Sequence, residues 1–246
     1  GSEANMADRN PALPEFRRMT EPEAVRKFDL AKRLDMFKFL AEPLDPRNVV
    51  LVHDGDLHVR GSLDLDGGML RCPNDDQPRC GLVVTGNLTL DTSLLNAPDT
   101  AWGVFLVVLG DTRAWAIHAG GAEIVLLGKV YLEDAAVASG VKGSLAMGSL
   151  DAPVLIKYEH WVKLEAGNYL EANLGGYSST RVRCWSQLLD PSIPVTLEND
   201  PVAADCYDRG ETVDLKTLML RMRQRESILK PERRRPGTVS RKSGSR

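Results

Sequence analysis

Gly55-Asp56-Leu57-His58-Val59, Gly61-Ser62-Leu63-Asp64-Leu65, Gly86-Asn87-Leu88-Thr89-Leu90 and Gly128-Lys129-Val130-Tyr131-Leu132 share one grammar: glycine, a small or polar residue, then an apolar-x-apolar triplet. Looser copies follow at Gly110-Asp111-Thr112-Arg113-Ala114 and Gly148-Ser149-Leu150-Asp151-Ala152. From Gly61 onward the glycines stand 25, 24, 18 and 20 residues apart. In front of several lies a strand-like run: Leu82-Val83-Val84, Val104 to Leu109, and Ile124 to Leu127. Each repeat therefore reads as a short strand, a turn at glycine and a second strand of alternating polarity.

A unit this short cannot bury its apolar face alone. Stacking each strand on its equivalent one coil along makes a continuous core, which is the logic of a parallel β-solenoid. The expected fold is mainly β, a right-handed β-helix whose Leu, Val and Ile ladders point inward while Asp64, Thr89 and Tyr131 point outward. Glycine is expected at the turn because it tolerates positive φ. An antiparallel sandwich is the rival, supported by the hairpin signals Asp54-Gly55 and Asp66-Gly67, which the later repeats lack.

Working outward, Thr20-Glu21-Pro22-Glu23 spells a capping box, and Val25, Phe28, Leu34 and Phe37 follow at helical spacing. A helix is expected over 21–41, ended by Pro43 and Pro46 and placed to cap a strand edge. A second, over 213–229, carries Leu215, Leu218, Met219 and Met222 on one face. The expected division is an expression remnant and arm (1–20, with Gly1 to Asn5 ahead of Met6), a capping helix (21–45), solenoid (46–165), an irregular cap with the last helix (166–229) and a disordered basic tail (230–246).

The chain has 246 residues, 43% hydrophobic and 26% charged, which suits a folded globular protein. No stretch approaches the roughly 18 apolar residues of a membrane span, and no secretory leader is evident, so a cytoplasmic location is expected. The net charge of −3 divides into −11 for 1–220 and +8 for 221–246. An acidic body favours basic partners and opposes nucleic acid, while the Arg-rich tail is expected to stay mobile unless a partner orders it.

Phe105 to Asp111, Ala119 to Ile124, Leu127 to Val130 and Ala152 to His160 resemble a group of bacterial β-helical proteins, some of which look like immunity partners of secreted antibacterial toxins. The similarity covers about residues 49–165. It lies in repeat grammar, not in a catalytic motif. Members often carry Asn-His-Gly between later repeats, where this chain reads Ala138-Ser139-Gly140. The resemblance implies the fold and a binding role, and transfers no site.

Cys72, Cys80, Cys184 and Cys206 contain no C-x-x-C pair, so reduced thiols are expected in preference to a zinc site. His53, His58, His118 and His160 lie too far apart in the repeat for an obvious metal centre. Asp54, Asp56, Asp64 and Asp66 could suit a glycan-cleaving pair, but also form an outward acidic rim without catalysis. No G-x-S-x-G elbow occurs. Tyr158-Glu159-His160-Trp161 has the composition of an interface anchor, although Trp161 could equally pack beneath the C-terminal segment.

The expectation is a non-enzymatic, cofactor-free protein that holds a basic toxin. Its expected contacts are Asp54, Asp56, Asp64, Glu123, Glu133, Asp134, Tyr158, Glu159 and Trp161, with no metal site. A self-assembling scaffold, which would make it a homo-oligomer, and a carbohydrate-active enzyme are the alternatives.

Overall fold

A computed structural model describes residues 16–34, 44–66, 79–97, 104–140, 143–174, 184–197 and 211–236. In chain order the elements are β1 (Arg17–Thr20), α1 (Glu21–Phe28), α2 (Leu30–Arg33), β2 (Val49–His53), β3 (Leu57–Val59), β4 (Leu63–Asp64), β5 (Arg79–Val84), β6 (Leu88–Leu90), β7 (Leu94–Leu95) and β8 (Phe105–Val108). There follow β9 (Thr112–Ala114), β10 (Ile117–Ala119), β11 (Glu123–Leu132), β12 (Ala135–Ser139), β13 (Ser144–Tyr158), β14 (Trp161–Asn173), β15 (Val195–Leu197), β16 (Glu211–Val213) and α3 (Leu215–Arg223).

The pairing is that of a parallel β-solenoid with three walls. The first stacks β2, β5, β8 and the leading parts of β11, β13 and β14. The second stacks β3, β6, β9 and the middle of the same long strands. The third stacks β4, β7, β10, β12 and the trailing parts of β13 and β14. Every one of these contacts is parallel, which excludes the antiparallel sandwich. Leu57, Leu88, Val130 and Leu150 line the interior from the second wall, and Leu63, Leu94, Ile117 and Leu155 from the third.

Three walls explain why the glycine spacings are uneven. Gly55, Gly86, Gly110, Gly128 and Gly148 open the second wall, whereas Gly61 belongs to the next corner and its carbonyl accepts from Thr92 N at 3.1 Å. Gly55 and Gly61 are thus two corners of one coil. Gly55 and Gly61 do have positive φ, +93° and +122°. The inner copies instead need glycine for close approach: a Cβ on Gly110 or Gly128 would lie 2.5 Å from Asn87 Oδ1 or Asp111 Oδ1 of the coil beneath.

The strand stack runs past residue 165, since β14 pairs with β13 as far as Asn173. Near the N-terminus, residues 17–20 are strand β1, antiparallel to β2, and so meet the first wall's leading edge. Glu23 accepts from Thr20 N at 3.1 Å, completing the capping box. The single helix expected over 21–41 is broken at Asp29, which adopts left-handed φ of 52°; 35–43 lie outside the described residues. Asp tolerates that conformation, and its single turn folds α2 back onto α1.

Both helical segments cover wall faces. Ala24, Phe28, Leu30 and Leu34 bury the outward Val50, Val52, Val83, Phe105 and Val107 of the first wall. Trp185, Leu188, Leu218, Met222 and Ile228 bury the outward Leu95, Val137, Val154 and Ile156 of the third. Over β2, β5 and β8 the first wall is therefore apolar on both sides, as is the third over β7, β12 and β13, in the manner of strands covered on two faces, whereas β14 turns exposed Lys163 and Glu165 outward from the first wall. The C-terminal helix is Leu215–Arg223, shorter than 213–229, because the chain turns at Gln224 to lay Ile228 and Leu229 into this cluster.

Candidate binding face

The second wall is the one whose outer surface neither helical segment blankets among the described residues. Register aligns His58 with Thr89, Thr89 with Arg113, Arg113 with Tyr131, and Tyr131 with Asp151 in one outward row. Alternation dictates it: these are the middle residues of the apolar-x-apolar triplets, so their flanking neighbours point into the core. A groove of about 260 Å³ runs between Asn87, Thr89, Asp111, Arg113, Lys129 and Tyr131. The Arg113 and Arg235 guanidiniums each lie 4.7 Å from the Tyr131 ring centre. His58 Nε2 meets Asp91 Oδ1 at 2.7 Å.

A ladder of side-chain acceptors borders this wall. Asp56 Oδ1 accepts from Asn87 N at 2.7 Å, Asn87 Oδ1 from Asp111 N at 2.8 Å, and Asp111 Oδ1 from Lys129 N at 2.8 Å. Each carboxylate or amide thus ties its coil to the next. At the far end of the third wall, buried Asn96 Oδ1 accepts from Gly120 N at 3.1 Å and Ala122 N at 2.8 Å.

The expected contact residues do not gather on one face. Asp54, bonded to Arg17 at 2.8 Å, and Asp56 lie in the first coil, whereas Tyr158, Glu159 and Trp161 lie where the last coil begins. Asp64 pairs with Arg223 at 2.5 Å, so it faces α3 and not open solvent. Glu123 is only 6% exposed and Asp134 only 1%, which removes both from a partner-facing surface. Glu133 stays half-exposed and Glu159 exposed. Tyr158 packs on Trp185, ring centres 6.0 Å apart. Trp161 is 43% exposed, whereas Trp115 of the wall and Trp185 of the C-terminal segment are buried in one cluster.

Asp134 has a structural task. Its carboxylate accepts from Ser227 Oγ at 2.5 Å and Ile228 N at 2.9 Å, anchoring the C-terminal segment. Burial raises its pKa to about 6, against the opposing effect of those hydrogen bonds. Asp190 holds the same segment through Arg221 at 3.3 Å and Arg234 at 3.0 Å. Burial would raise its pKa, but the Ser192 hydrogen bonds and then the two arginines leave it lowered.

The basic tail is docked where it is described. Pro231–Arg233 form a 3-10 turn, and Arg235 reaches Asp151 at 2.9 Å and the Leu132 carbonyl at 3.1 Å. Residues 237–246 lie outside the described residues. The disorder expected from residue 230 is thus overturned for 230–236, because the acidic body supplies the ordering partner.

Among the described residues no group of three or more His, Cys, Asp and Glu could hold a metal ion. Cys80 is buried and Cys184 half-buried, while Cys72 and Cys206 lie outside the described residues. His118 is enclosed, with Nδ1 at 2.7 Å from Asn96 O and Nε2 at 3.1 Å from Ser139 Oγ. Burial lowers its pKa to about 4. No described helix is long and apolar enough to cross a membrane.

Arg113 and Lys129 are the residues of this face that the repeat alone did not single out, though their positions in the triplet grammar mark them. Comparison of the chain with models of known families, with characterised proteins and with solved structures returned no match.

Proposed function

We propose that this protein is a non-catalytic, protein-binding solenoid that receives its partner along the outer surface of the second wall. The observation that carries this reading is the contrast between walls: apolar segments of the same chain cover the first wall over β2, β5 and β8 and the third wall, and the second presents a polar row with a groove. Repeat proteins use such extended surfaces for partners. The specific form we infer is an immunity protein that neutralises a basic toxin in the cytoplasm. The −11 charge of residues 1–220 supports it, since complementary charge speeds encounter and rejects like-charged partners. Exposed Asp91 and half-exposed Glu133, at the margin of the wall, would meet the basic groups. We take the winding as right-handed, the hand that parallel crossovers adopt, and the flanking helices as covers of the walls.

Affinity purification of the tagged protein at low and moderate salt, with mass spectrometry, tests this. A single stoichiometric basic protein, weakened by salt and lost from the Asp91→Lys/Glu133→Lys variant, is the expected result. Recovery of the same proteins by both forms, or of none, would overturn it.

A further inference from the structure

We propose that the groove of the second wall is a binding site for a phosphoryl group, free or carried by a small ester. This goes beyond the protein-binding reading, needs no protein partner and can fail while that reading stands. The groove is lined by two rows of outward side chains across three consecutive coils. One row is Thr89, Arg113 and Tyr131, each in register with the next. The other, two residues earlier on each coil, is Asn87, Asp111 and Lys129, joined through backbone amides by the acceptor ladder. Residues two apart on a strand share a face, so both rows meet the same groove, and coils stack about 4.8 Å apart. Arg113 and Lys129, both exposed, are therefore diagonal neighbours on adjacent coils. That diagonal, about 7–8 Å between Cα atoms, is one that two long cationic side chains can close on a single anion.

The lining is rich in donors. Asn87 Oδ1 is committed to Asp111 N, which leaves its Nδ2 as a donor. With it stand the Thr89 and Tyr131 hydroxyls, the Arg113 guanidinium and the Lys129 ammonium. Among the described residues none of these groups has a hydrogen-bond acceptor or a carboxylate partner. Arg113 rests against the Tyr131 ring, 4.7 Å from its centre, a contact that positions the guanidinium without neutralising its charge. Arg235, on the same ring, is by contrast paired with Asp151. Two cations against one carboxylate give the lining a positive balance, and that carboxylate, Asp111, has Oδ1 on Lys129 N. A planar guanidinium fork, an ammonium and neutral donors are the groups that hold phosphate oxygens. The −11 charge of residues 1–220 repels anions in general, so capture here has to be local. At about 260 Å³ the groove also has room for a small organic remainder.

Titration of the full chain with inorganic phosphate and with glycerol 3-phosphate at constant ionic strength, followed by amide chemical shifts, tests the proposal. Saturable shifts centred on residues 87–89, 111–113 and 129–131 are expected. Arg113→Ala and Lys129→Ala are each expected to weaken binding about tenfold or more, as loss of a charge-assisted hydrogen bond does. Asp111→Asn keeps an oxygen for Lys129 N and removes the opposing charge, so it should tighten binding several-fold, a gain that misfolding cannot imitate. Tighter binding of the ester assigns the site to esters, and equal or weaker binding assigns it to the free ion. Scattered or unsaturable shifts, binding indifferent to Arg113→Ala and Lys129→Ala, or an Asp111→Asn protein no tighter than wild type would each overturn it.

Discussion

At the scale of single residues, the repeat is held by backbone approach and by side chains that reach one coil along. Gly110→Ala would drive a Cβ against Asn87 and the Gly86 backbone, so we expect it to cost about 2 kcal/mol in urea unfolding. Gly55→Ala meets no atom within 4 Å and should cost about 1 kcal/mol, from its φ alone. Asn96→Ala leaves two buried amides without their acceptor and should cost about 3 kcal/mol, against about 1 kcal/mol for exposed Asn87. Equal losses at Asn87 and Asn96 would contradict the difference in burial. Two buried groups set opposing pH slopes. Asp134, with a folded pKa of about 6, contributes stability below the unfolded value of 3.8 that is lost as pH rises through 6. His118 contributes stability above its unfolded value of 6.5 that is lost as pH falls through about 4. Asp134→Asn should therefore unmask a stability that falls steadily between pH 6.5 and 4, measured by denaturant titration at each pH. A slope unchanged from wild type would refute the assignment.

At the scale of elements, what was legible in the sequence was whatever repeats. The apolar-x-apolar triplets gave inward ladders and the outward placement of Thr89 and Tyr131, because period-two alternation is local. The number of walls was not legible. Gly55 and Gly61 carry the same local signal and occupy different corners, and only pairing across coils separates them. The same holds for 21–41, where apolar spacing suggested one helix and a left-handed Asp29 divides it. β14 escaped as well, since its alternation breaks at Ala166-Gly167, where a glycine fills an inward position. Of the candidate site, Asp54, Asp56 and Glu133 lie beside the open wall, while Glu123 and Asp134 gave no outward sign of burial. A carboxylate reads alike in sequence whether it faces water or anchors a strap.

At the scale of the whole molecule, the charge asymmetry resolves within one chain. Arg221 and Arg234 meet Asp190, Arg223 meets Asp64, and Arg235 meets Asp151, so the basic end straps itself to the acidic body. We expect Arg234→Ala/Arg235→Ala to speed amide exchange over residues 226–236 several-fold, with little change in the strands of the first wall. Uniform acceleration would mean that the strap is integral to the fold. The central claim is the coil-on-coil register, which sets both the core and the outward row of the second wall. Paired cysteines test it most directly, because stacked neighbours about 4.8 Å apart lie within disulfide reach and residues two coils apart do not. Oxidation of the Thr89→Cys/Arg113→Cys protein, mapped by mass spectrometry, should join 89 to 113. In Thr89→Cys/Tyr131→Cys no such bond should form, and a bond there without one in the first pair would contradict the account.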